Sequence, residues 1–458
     1  MADEVSVADL VGAVSTGVVE ELTVETLAFG GDGVAHRADG QVVFVRRCAP
    51  GDRLLARIDR DRGSYARASP VRLLESGAER RVPPCGYFDR CGGCQLQHVS
   101  LAGQREAKRA AVRDALRRIG RRRVDVPELV HAGGPLGYRN RVTFTLRRSA
   151  GGVLAGYHGA DDPAELTDVA DCPLAEDAVR EAWASLRAGW GEAAESLPAG
   201  DELRVTVRAS ATGGVALFVE GGSPGRAGRP DAVVDAVDAL RSYHWKPAGA
   251  PRVLLAGAPR FADRWRGLDF ELGPESFLQV NRAVAERMED YIDGQLGDVA
   301  GVRILDLYSG VGGRAVSWAA RGADVAACEL DGDAIESGRL AARAAGSSPT
   351  LHQGRVEEWL PRLLPAEVIV VNPPRRGLSP AVCEPLAVSG ARRLVYVSCD
   401  PATLARDLAR LGDGWAVHAV QPFDAFPHTY HVETVAVLRP AAARREGGSP
   451  GGTEGAPG

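Results

Sequence analysis

Short apolar runs broken by turn residues fill the first part of the chain. VETLAFGGDGVAH and QVVFVRRCAPGDRLLARI combine β-rich stretches with Gly, Asp and Pro up to about residue 76. This pattern predicts strands joined by tight turns, and hence a small all-β barrel over residues 14–76. A five-stranded barrel of this size often binds oligonucleotides, although any small barrel gives the same pattern.

The middle of the chain mixes helix and strand patterns. LAGQREAKRAAVRDALRRIG predicts a helix over residues 101–120, and RVTFTL and LRVTVRAS predict strands separated by Gly-rich turns. We therefore expect an α+β domain over residues 77–265, with a helix that is free to pack on the domain that follows.

From residue 266 the pattern changes to strands that alternate with helices. VRILDLYSG, ADVAACEL, VIVVNPP and RRLVYVSC are short apolar runs with helical stretches between them. This alternation predicts an α/β fold with a doubly wound parallel sheet over residues 266–440. The Gly-rich end, residues 441–458, predicts a disordered tail.

Composition narrows the class of protein. The chain has 458 residues, enough for two to three domains, and its eight cysteines are too sparse for a disulfide scaffold. No apolar run is long enough to span a membrane, and MADEVSVADLV lacks a signal pattern, so we expect a cytoplasmic protein without a membrane partner. The net charge of −5 does not favour nucleic acid globally, but Arg117 to Arg123 form a local basic cluster.

Four cysteines have a spacing that suggests a metal site. Cys85, Cys91 and Cys94 lie among glycines in one short segment, and Cys172 lies far downstream in DCPL. Three thiolates and a distant fourth can close a tetrahedral sulfur site, which either zinc or an iron–sulfur cluster would satisfy.

Polar and reactive residues follow several of the predicted strands. Gly310, Gly312 and Ala315 fit the permissive dinucleotide-loop pattern, and Glu329 ends the next strand, where a carboxylate can accept both ribose hydroxyls. These residues predict an adenosine-containing cofactor, with NAD and S-adenosylmethionine both open; a purely structural turn is the third option. Asn372 follows another strand, in NPPRRGL, and is a candidate for hydrogen bonds to a planar base.

Cys399 follows the LVYVS strand and precedes a helix that begins with Pro401. By position alone, this thiol is as consistent with a small buried side chain as with a ligand site. Glu433 begins the last strand, where desolvation would raise its pKa and make it a candidate base.

Six motifs together resemble the S-adenosylmethionine-dependent RNA 5-methyluridine methyltransferases. They are CGYFDRCGGCQLQH with Cys172, SFLQVN, DLYSGVGG, NPPRRGL, SCDPATLARDL and FPHTYHVE, in the family's order between about residues 15 and 440. The resemblance implies a TRAM-type barrel for RNA, a central cluster-bearing domain and a Rossmann-like methyltransferase domain. The implied substrate is a uridine in rRNA or tRNA. Because one chain holds every part, we expect a monomer.

The resemblance also implies roles for single residues. Cys399 would be the nucleophile that adds to carbon 6 of uracil, and Glu433 the base that removes the proton from carbon 5. The target uridine would be flipped out of its stack. The S-adenosylmethionine pocket would be lined by Gln279, Tyr308, Glu329 and Asn372, beside the loop glycines Gly310 and Gly312. A four-iron four-sulfur cluster would be held by Cys85, Cys91, Cys94 and Cys172.

Four positions depart from residues that are common in the family. Ser309 stands in place of cysteine, Gly313 and Asp400 in place of asparagine, and Asn372 in place of an acid. The change at Asn372 removes a charge near the sulfonium of the cofactor. Since Cys399 and Glu433 are present, we expect an active enzyme.

Three other functions stay open. An asparagine before two prolines suits a methyltransferase that acts on an exocyclic amino group, although such sites usually continue with an aromatic residue where Arg375 stands. A non-catalytic RNA-binding protein would use the barrel and the cysteine segment alone. A dehydrogenase is the weakest alternative, because no hydride-handling residues accompany the glycine loop.

Overall fold

In the computed structural model, which describes residues 18–441, the first six strands form one sheet in the order β1-β5-β6-β4-β3-β2. They are Val19–Thr23 (β1), Thr26–Leu27 (β2), Gly33–His36 (β3), Val42–Val45 (β4), Arg53–Asp61 (β5) and Tyr65–Glu75 (β6). Leu22, Val43 and Leu54 pack in its core. The sheet has six strands where five were expected. The additional strand is β2, whose two residues pair with β3 and are too few to give a sequence pattern. The predicted tail lies outside the described residues except for Ala441.

The predicted helix at 101–120 is present as α1, Leu101–Arg118. Ser100 caps it, because its Oγ accepts a hydrogen bond from the Gly103 N–H at 3.0 Å. Its buried face includes a charged residue, Lys108, beside Val112 and Leu116. Among residues 18–441, neither this helix nor any other combines the length and apolar character needed to cross a membrane.

The central segment forms a seven-stranded sheet with two helices. Its elements are Arg141–Ser149 (β7), Gly152–His158 (β8), Leu166–Asp168 (β9), Asp177–Gly189 (α2), Glu202–Ala209 (β10), Val215–Gly221 (β11), Pro230–Ala236 (α3), Leu240–Lys246 (β12) and Val253–Gly257 (β13). The strand order is β13-β12-β11-β10-β7-β8-β9. Trp183 of α2 stacks on Phe144 of β7, with ring centroids 4.2 Å apart. A separate hairpin follows, Phe261–Trp265 (β14) and Leu268–Leu272 (β15).

The C-terminal segment is the predicted doubly wound α/β sheet, which confirms the fold class. Its elements are Arg282–Leu296 (α4), Arg303–Leu307 (β16), Gly313–Ala320 (α5), Asp324–Glu329 (β17), Gly332–Ala344 (α6), Thr350–Gln353 (β18), Val356–Leu363 (α7), Val368–Val371 (β19), Pro380–Ala387 (α8), Arg393–Ser398 (β20), Pro401–Arg410 (α9), Trp415–Phe423 (β21) and Glu433–Pro440 (β22). The order is β18-β17-β16-β19-β20-β22-β21, and only β22 runs antiparallel to both of its neighbours. All four residues of β19 are buried, since helices cover both faces.

Helix α1 packs against helix α9 of this C-terminal segment. Val112 and Leu116 share a hydrophobic core with Leu404 and Leu408 of α9. Arg122, from the basic cluster, donates three hydrogen bonds to backbone carbonyls around the end of α9 and the start of β21. That arginine therefore stabilises the packing of α1.

Candidate active site

One cavity of about 630 Å³ opens at the carboxyl ends of the parallel strands of the C-terminal sheet. Because β22 is antiparallel, its first residue lies at the same edge as the last residues of β16, β17, β19 and β20. Open α/β sheets bind ligands at this edge. Seven residues predicted from the sequence line the cavity: Gln279, Tyr308, Gly310, Glu329, Asn372, Cys399 and Glu433. Gly312, also predicted, does not lie on its wall but turns the chain into α5.

The glycine loop positions the carboxylate of Glu329. Gly310 and Gly312 have φ values of 56° and 71°, in the left-handed region that favours glycine. The Gly310 N–H donates to Glu329 Oε2 at 3.0 Å, while the N–H groups of Leu330 and Asp331 donate to Oε1 at 2.7 and 2.9 Å. The carboxylate is thus held by backbone donors at the cavity wall.

Close packing against Trp265 explains why position 313 is a glycine. A Cβ added to Gly313 would lie 2.6 Å from Trp265 Cζ3, too close for any other residue without a shift of the indole. Trp265 comes from the β14–β15 hairpin and lines the cavity. The indole therefore occupies the space that an asparagine side chain at 313 would need.

Asn372 presents a free carboxamide to the cavity. Its N–H donates to the Leu307 carbonyl at 3.1 Å, which ties it to β16. Its side chain makes no hydrogen bond with any other residue between 18 and 441, and Pro373 and Pro374 stiffen the backbone after it. Both its donor and its acceptor are therefore available to a ligand.

Cys399 lies between β20 and α9, at the cavity wall. Asp400, the next residue, caps α9 by accepting a hydrogen bond from the Thr403 N–H at 2.7 Å. Burial raises the pKa of the Cys399 thiol to about 11; the charge of Glu433 adds to this, and that of Arg375 opposes it. The thiol is therefore protonated at neutral pH when the cavity is empty.

Glu433 lies beside Cys399. Strands β20 and β22 pair Ser398 with Thr434, so the residues one step further on each strand, Cys399 and Glu433, are neighbours. Glu433 is only 5% exposed and makes no side-chain hydrogen bond or ion pair with residues 18–441. Burial raises its pKa to about 7, against the opposing charges of two arginines. It can therefore accept a proton near neutral pH.

A buried ion pair in the cavity wall was not predicted. Arg314, in the first turn of α5, donates Nε and Nη2 to Glu289 of α4 at 2.7 and 2.8 Å. Both side chains are less than 10% exposed and line the cavity, and Arg314 is one of the two arginines that act on Glu433. The available signal was Glu289 itself, a charge four residues after Ala285 on the apolar stripe of α4.

A second unpredicted acid lies behind the cavity. Asp306 of β16 is fully buried, and neither carboxyl oxygen has a hydrogen-bond partner among residues 18–441. Burial raises its pKa to about 7, although the charge of Arg314 opposes the shift. It does not line the cavity.

The loop 424–432, which leads into Glu433, is anchored by distant parts of the chain. Lys108 Nζ of α1 donates to Asp424 Oδ1 at 2.6 Å and to the Phe426 carbonyl at 2.9 Å. Tyr138 Oη donates to the Pro427 carbonyl at 3.0 Å. These bonds fix the loop from the central segment rather than from its own sheet.

The two histidines of this loop differ. His431 lines the cavity, and burial lowers its pKa to about 4, so it is neutral at physiological pH. His428 lies away from the cavity; its backbone N–H donates to Gln104 Oε1 at 2.8 Å. His428 is therefore part of the anchoring of the loop to α1.

The four predicted metal-binding cysteines line a second cavity, of about 90 Å³. They are Cys85, Cys91, Cys94 and Cys172. The Ala170 N–H donates to Tyr87 Oη at 3.3 Å, which links the chain next to the DCPL segment to the cysteine loop. Within residues 18–441, no three Cys, His, Asp or Glu side chains are grouped so that they could hold a metal ion. The four cysteines nevertheless line one common cavity.

Comparisons with known proteins agree with this geometry. Residues 14–71 match the TRAM domain, and residues 362–440 match the tRNA (Uracil-5-)-methyltransferase family. A 23S rRNA (uracil(1939)-C(5))-methyltransferase from Halomonas elongata is 34% identical over 452 residues, covering 94% of this chain and 91% of that protein. An uncharacterized RNA methyltransferase from Thermosynechococcus vestitus is 32% identical, covering 92% and 98%.

One solved structure resembles the whole fold. The Pyrococcus abyssi tRNA (uracil-54, C5)-methyltransferase, in complex with S-adenosyl-L-homocysteine, matches with a TM-score of 0.72 and 26% sequence identity. The match covers 92% of this chain and 100% of that one.

Proposed function

This chain belongs to the S-adenosylmethionine-dependent RNA (uracil-5-)-methyltransferases, and from that premise we propose that it methylates carbon 5 of one uridine in rRNA or tRNA through a covalent adduct with Cys399. One observation carries the proposal. Cys399, which directly follows β20, and Glu433, which begins β22, are neighbours at the ends of two paired strands and line the same cavity. Addition to a uracil ring needs a nucleophile, and completing the substitution needs a base beside it.

The proposed reaction uses both residues in turn. Carbon 5 of uracil is a poor nucleophile until the Cys399 thiolate bonds to carbon 6 and turns the ring into an enolate. S-adenosylmethionine, when bound, supplies the methyl group that carbon 5 takes. Glu433 accepts the proton left on carbon 5, the electrons of that bond restore the carbon 5–carbon 6 double bond, and the Cys399 sulfur leaves.

Arg375 is proposed to help form the thiolate. The thiol must lose its proton before attack, and its pKa is raised by burial and by Glu433. Arg375 lines the cavity, has no ion-pair partner within residues 18–441, and is the cation that opposes this shift. A free guanidinium near the sulfur stabilises the charged form.

The cofactor is proposed to bind along the glycine loop. Glu329, oriented by three backbone donors, is placed to accept hydrogen bonds from ribose hydroxyls. Gln279, Tyr308 and Asn372 line the same cavity and complete the proposed pocket.

RNA that carries 5-fluorouridine tests the mechanism. Fluorine cannot leave as a proton, so the wild-type protein with S-adenosylmethionine should form an adduct that survives a denaturing gel. Cys399→Ala should form none. Cys383→Ala is the matched control, because Cys383 is a buried thiol outside the cavity and its removal should leave the adduct intact.

Two results would contradict the proposal. An adduct in Cys399→Ala would mean that another group is the nucleophile. Methyl transfer to unmodified RNA without any adduct on the fluorinated RNA would instead favour methylation of an exocyclic amino group, the alternative that the asparagine at 372 suggests.

We further propose that Cys85, Cys91, Cys94 and Cys172 hold a four-iron four-sulfur cluster. A single zinc ion needs its sulfurs about 2.3 Å from one point, whereas these thiols surround a cavity of about 90 Å³. Arg139 lines that cavity without an ion-pair partner in residues 18–441, and a guanidinium suits the net negative charge of a thiolate-bound cluster. The methylation chemistry has no redox step, so the proposed role is structural.

Iron and sulfide analysis of anaerobically purified protein tests the cluster. We expect about four of each per chain and a visible chromophore. Cys172→Ser should lose the chromophore, while Cys383→Ser should keep it. Stoichiometric zinc in place of iron would contradict the proposal.

The domain arrangement is also a proposal. We place an RNA-binding TRAM domain at residues 14–76, a central domain at 77–265 and the methyltransferase domain at 266–440. The TRAM match over 14–71 supports the first boundary. Because one chain supplies both cavities and the barrel, we propose that it acts as a monomer.

A further inference from the structure

Four aromatic side chains form a continuous line from the N-terminal sheet to the wall of the active-site cavity. Phe29, in the turn between β2 and β3, meets Tyr430 edge-on, with ring centroids 5.2 Å apart. Tyr430 lies 4.3 Å from the ring of His431, and His431 lies 6.0 Å from that of Phe426. His431 and Phe426 both line the cavity.

Packed backbone holds this line in place. Gly31, in the same turn as Phe29, approaches Gln95 so closely that an added Cβ would lie 3.0 Å from the Gln95 Cβ. The N–H groups of Gln95 and Leu96 in turn donate to the His428 carbonyl at 3.1 and 2.9 Å. The turn that carries Phe29 and the loop that carries Tyr430 are therefore fixed relative to each other.

The outer end of the line is exposed and its inner end is positively charged. Phe29 is 42% exposed, although burial would stabilise a phenyl ring. Arg375, whose charge acts on His431, has no ion-pair partner in residues 18–441. Phe29 is exposed and Tyr430 is half-buried. Accessible aromatic rings that lead to a free guanidinium match single-stranded RNA, whose bases stack on rings and whose phosphates bind arginine.

We propose that Phe29 and Tyr430 form a stacking platform for the nucleotides that flank the target uridine, while the uridine enters the cavity past His431. The inference rests on the proposed RNA substrate. Tyr430 lies next to His431 of the cavity wall, with ring centroids 4.3 Å apart, so the platform takes bases close to the target. A flipped uridine leaves its neighbours without a stacking partner, and the two rings replace it.

Binding of a fluorescein-labelled RNA oligonucleotide tests the platform. The oligonucleotide contains the uridine at which 5-fluorouridine forms the covalent adduct. Phe29→Leu and Tyr430→Leu keep apolar bulk but remove the ring, and each should weaken binding about tenfold by fluorescence anisotropy. Tyr430→Phe keeps the ring and should bind like wild type. Tyr65→Leu is the matched control, because Tyr65 is an exposed ring of the same sheet outside the line. S-adenosylmethionine affinity should not change in any variant.

Abasic RNA makes the test specific. RNA that lacks the base at the position that stacks on the platform should bind the wild-type protein and Phe29→Leu with equal affinity. The proposal is overturned if Phe29→Leu keeps its full effect on every abasic RNA, or if Tyr65→Leu weakens binding as much. Absence of any adduct in the wild-type protein would instead count against the proposed function, since adduct formation depends on Cys399 and not on Phe29.

Discussion

Two buried carboxyl groups flank the loop 424–432, and their surroundings are opposite. Asp424, fully buried, accepts hydrogen bonds from Lys108 Nζ at 2.6 Å and from Arg105 Nε at 3.3 Å. Glu433, almost as buried, has no bonded partner within residues 18–441, and its pKa is raised to about 7 by burial. Burial alone therefore does not separate an anchoring acid from a reactive one. The two differ in whether a hydrogen-bonded cation neutralises the carboxylate.

Removing Glu433, the proposed base, has the largest expected effect on catalysis. Glu433→Gln keeps the shape but cannot accept the carbon 5 proton, so kcat should fall at least ~100-fold. Unmodified RNA should then stay attached to Cys399 as a methylated adduct, visible on a denaturing gel with labelled cofactor. The thermal midpoint at pH 8 should not fall, because the amide avoids a buried charge. Turnover near the wild-type rate would exclude Glu433 as the base.

Removing the anchoring acid should instead affect stability. Asp424→Asn leaves the Lys108 ammonium buried without a carboxylate, which costs about 3–5 kcal/mol. The fall in thermal midpoint, followed by circular dichroism, measures this loss. Asp424→Leu combined with Lys108→Met should recover most of it, because no charge is then stranded. An unchanged midpoint in Asp424→Asn would remove the distinction between the two acids.

Asp306 is a third buried acid. It has no hydrogen-bond partner among residues 18–441, and it does not line the cavity. Its folded-state pKa of about 7 lies above the usual value, so between about pH 4 and 7 the folded form binds a proton that the unfolded form has released. Stability is therefore lost as pH rises through that window. Asp306→Asn should remove the loss and stabilise the protein on the order of 4 kcal/mol at pH 8, with little gain at pH 4. Equal gains at both pH values would contradict the raised pKa.

The pH dependence of catalysis gives the smallest expected effect. Wild-type kcat should rise with pH through about 7, as Glu433 loses its proton. The double variant Arg314→Met with Glu289→Leu removes a cation that stabilises the Glu433 carboxylate. The pH midpoint of the rise in kcat should therefore increase by roughly half a pH unit. Glu289→Gln keeps the cation and should leave the pH midpoint of this rise unchanged. An unchanged pH midpoint in the double variant would show that Arg314 does not act on Glu433.

Much of the active site was predictable because parallel strands bring their carboxyl ends to one edge. Each motif that follows a strand, at Gly310, Glu329, Asn372 and Cys399, could therefore be placed with the others before any coordinates existed. Glu433 joins them because its strand is reversed, which the sequence pattern does not reveal. Four cysteines around one space were likewise predictable from spacing, although the shape of that space was not.

Contacts between remote segments were not predictable. Lys108 and Asp424 are 316 positions apart, and nothing in either local sequence indicates the other. The steric match of Gly313 with Trp265, and the ion pair of Arg314 with Glu289, likewise depend on how separate elements pack. Periodicity reports which face of a helix is buried, but not what it is buried against.

The Lys108–Asp424 contact also has a consequence for the order of assembly. A chain synthesised from its N-terminus exposes α1 to the cell long before Asp424 leaves the ribosome, because 316 positions separate the two partners. Until then, an ammonium group and an apolar helix face wait without their final contacts. The loop that leads into Glu433 is translated long after the segments that anchor it, so a nascent chain that stops before Asp424 has no completed catalytic centre with which to modify RNA.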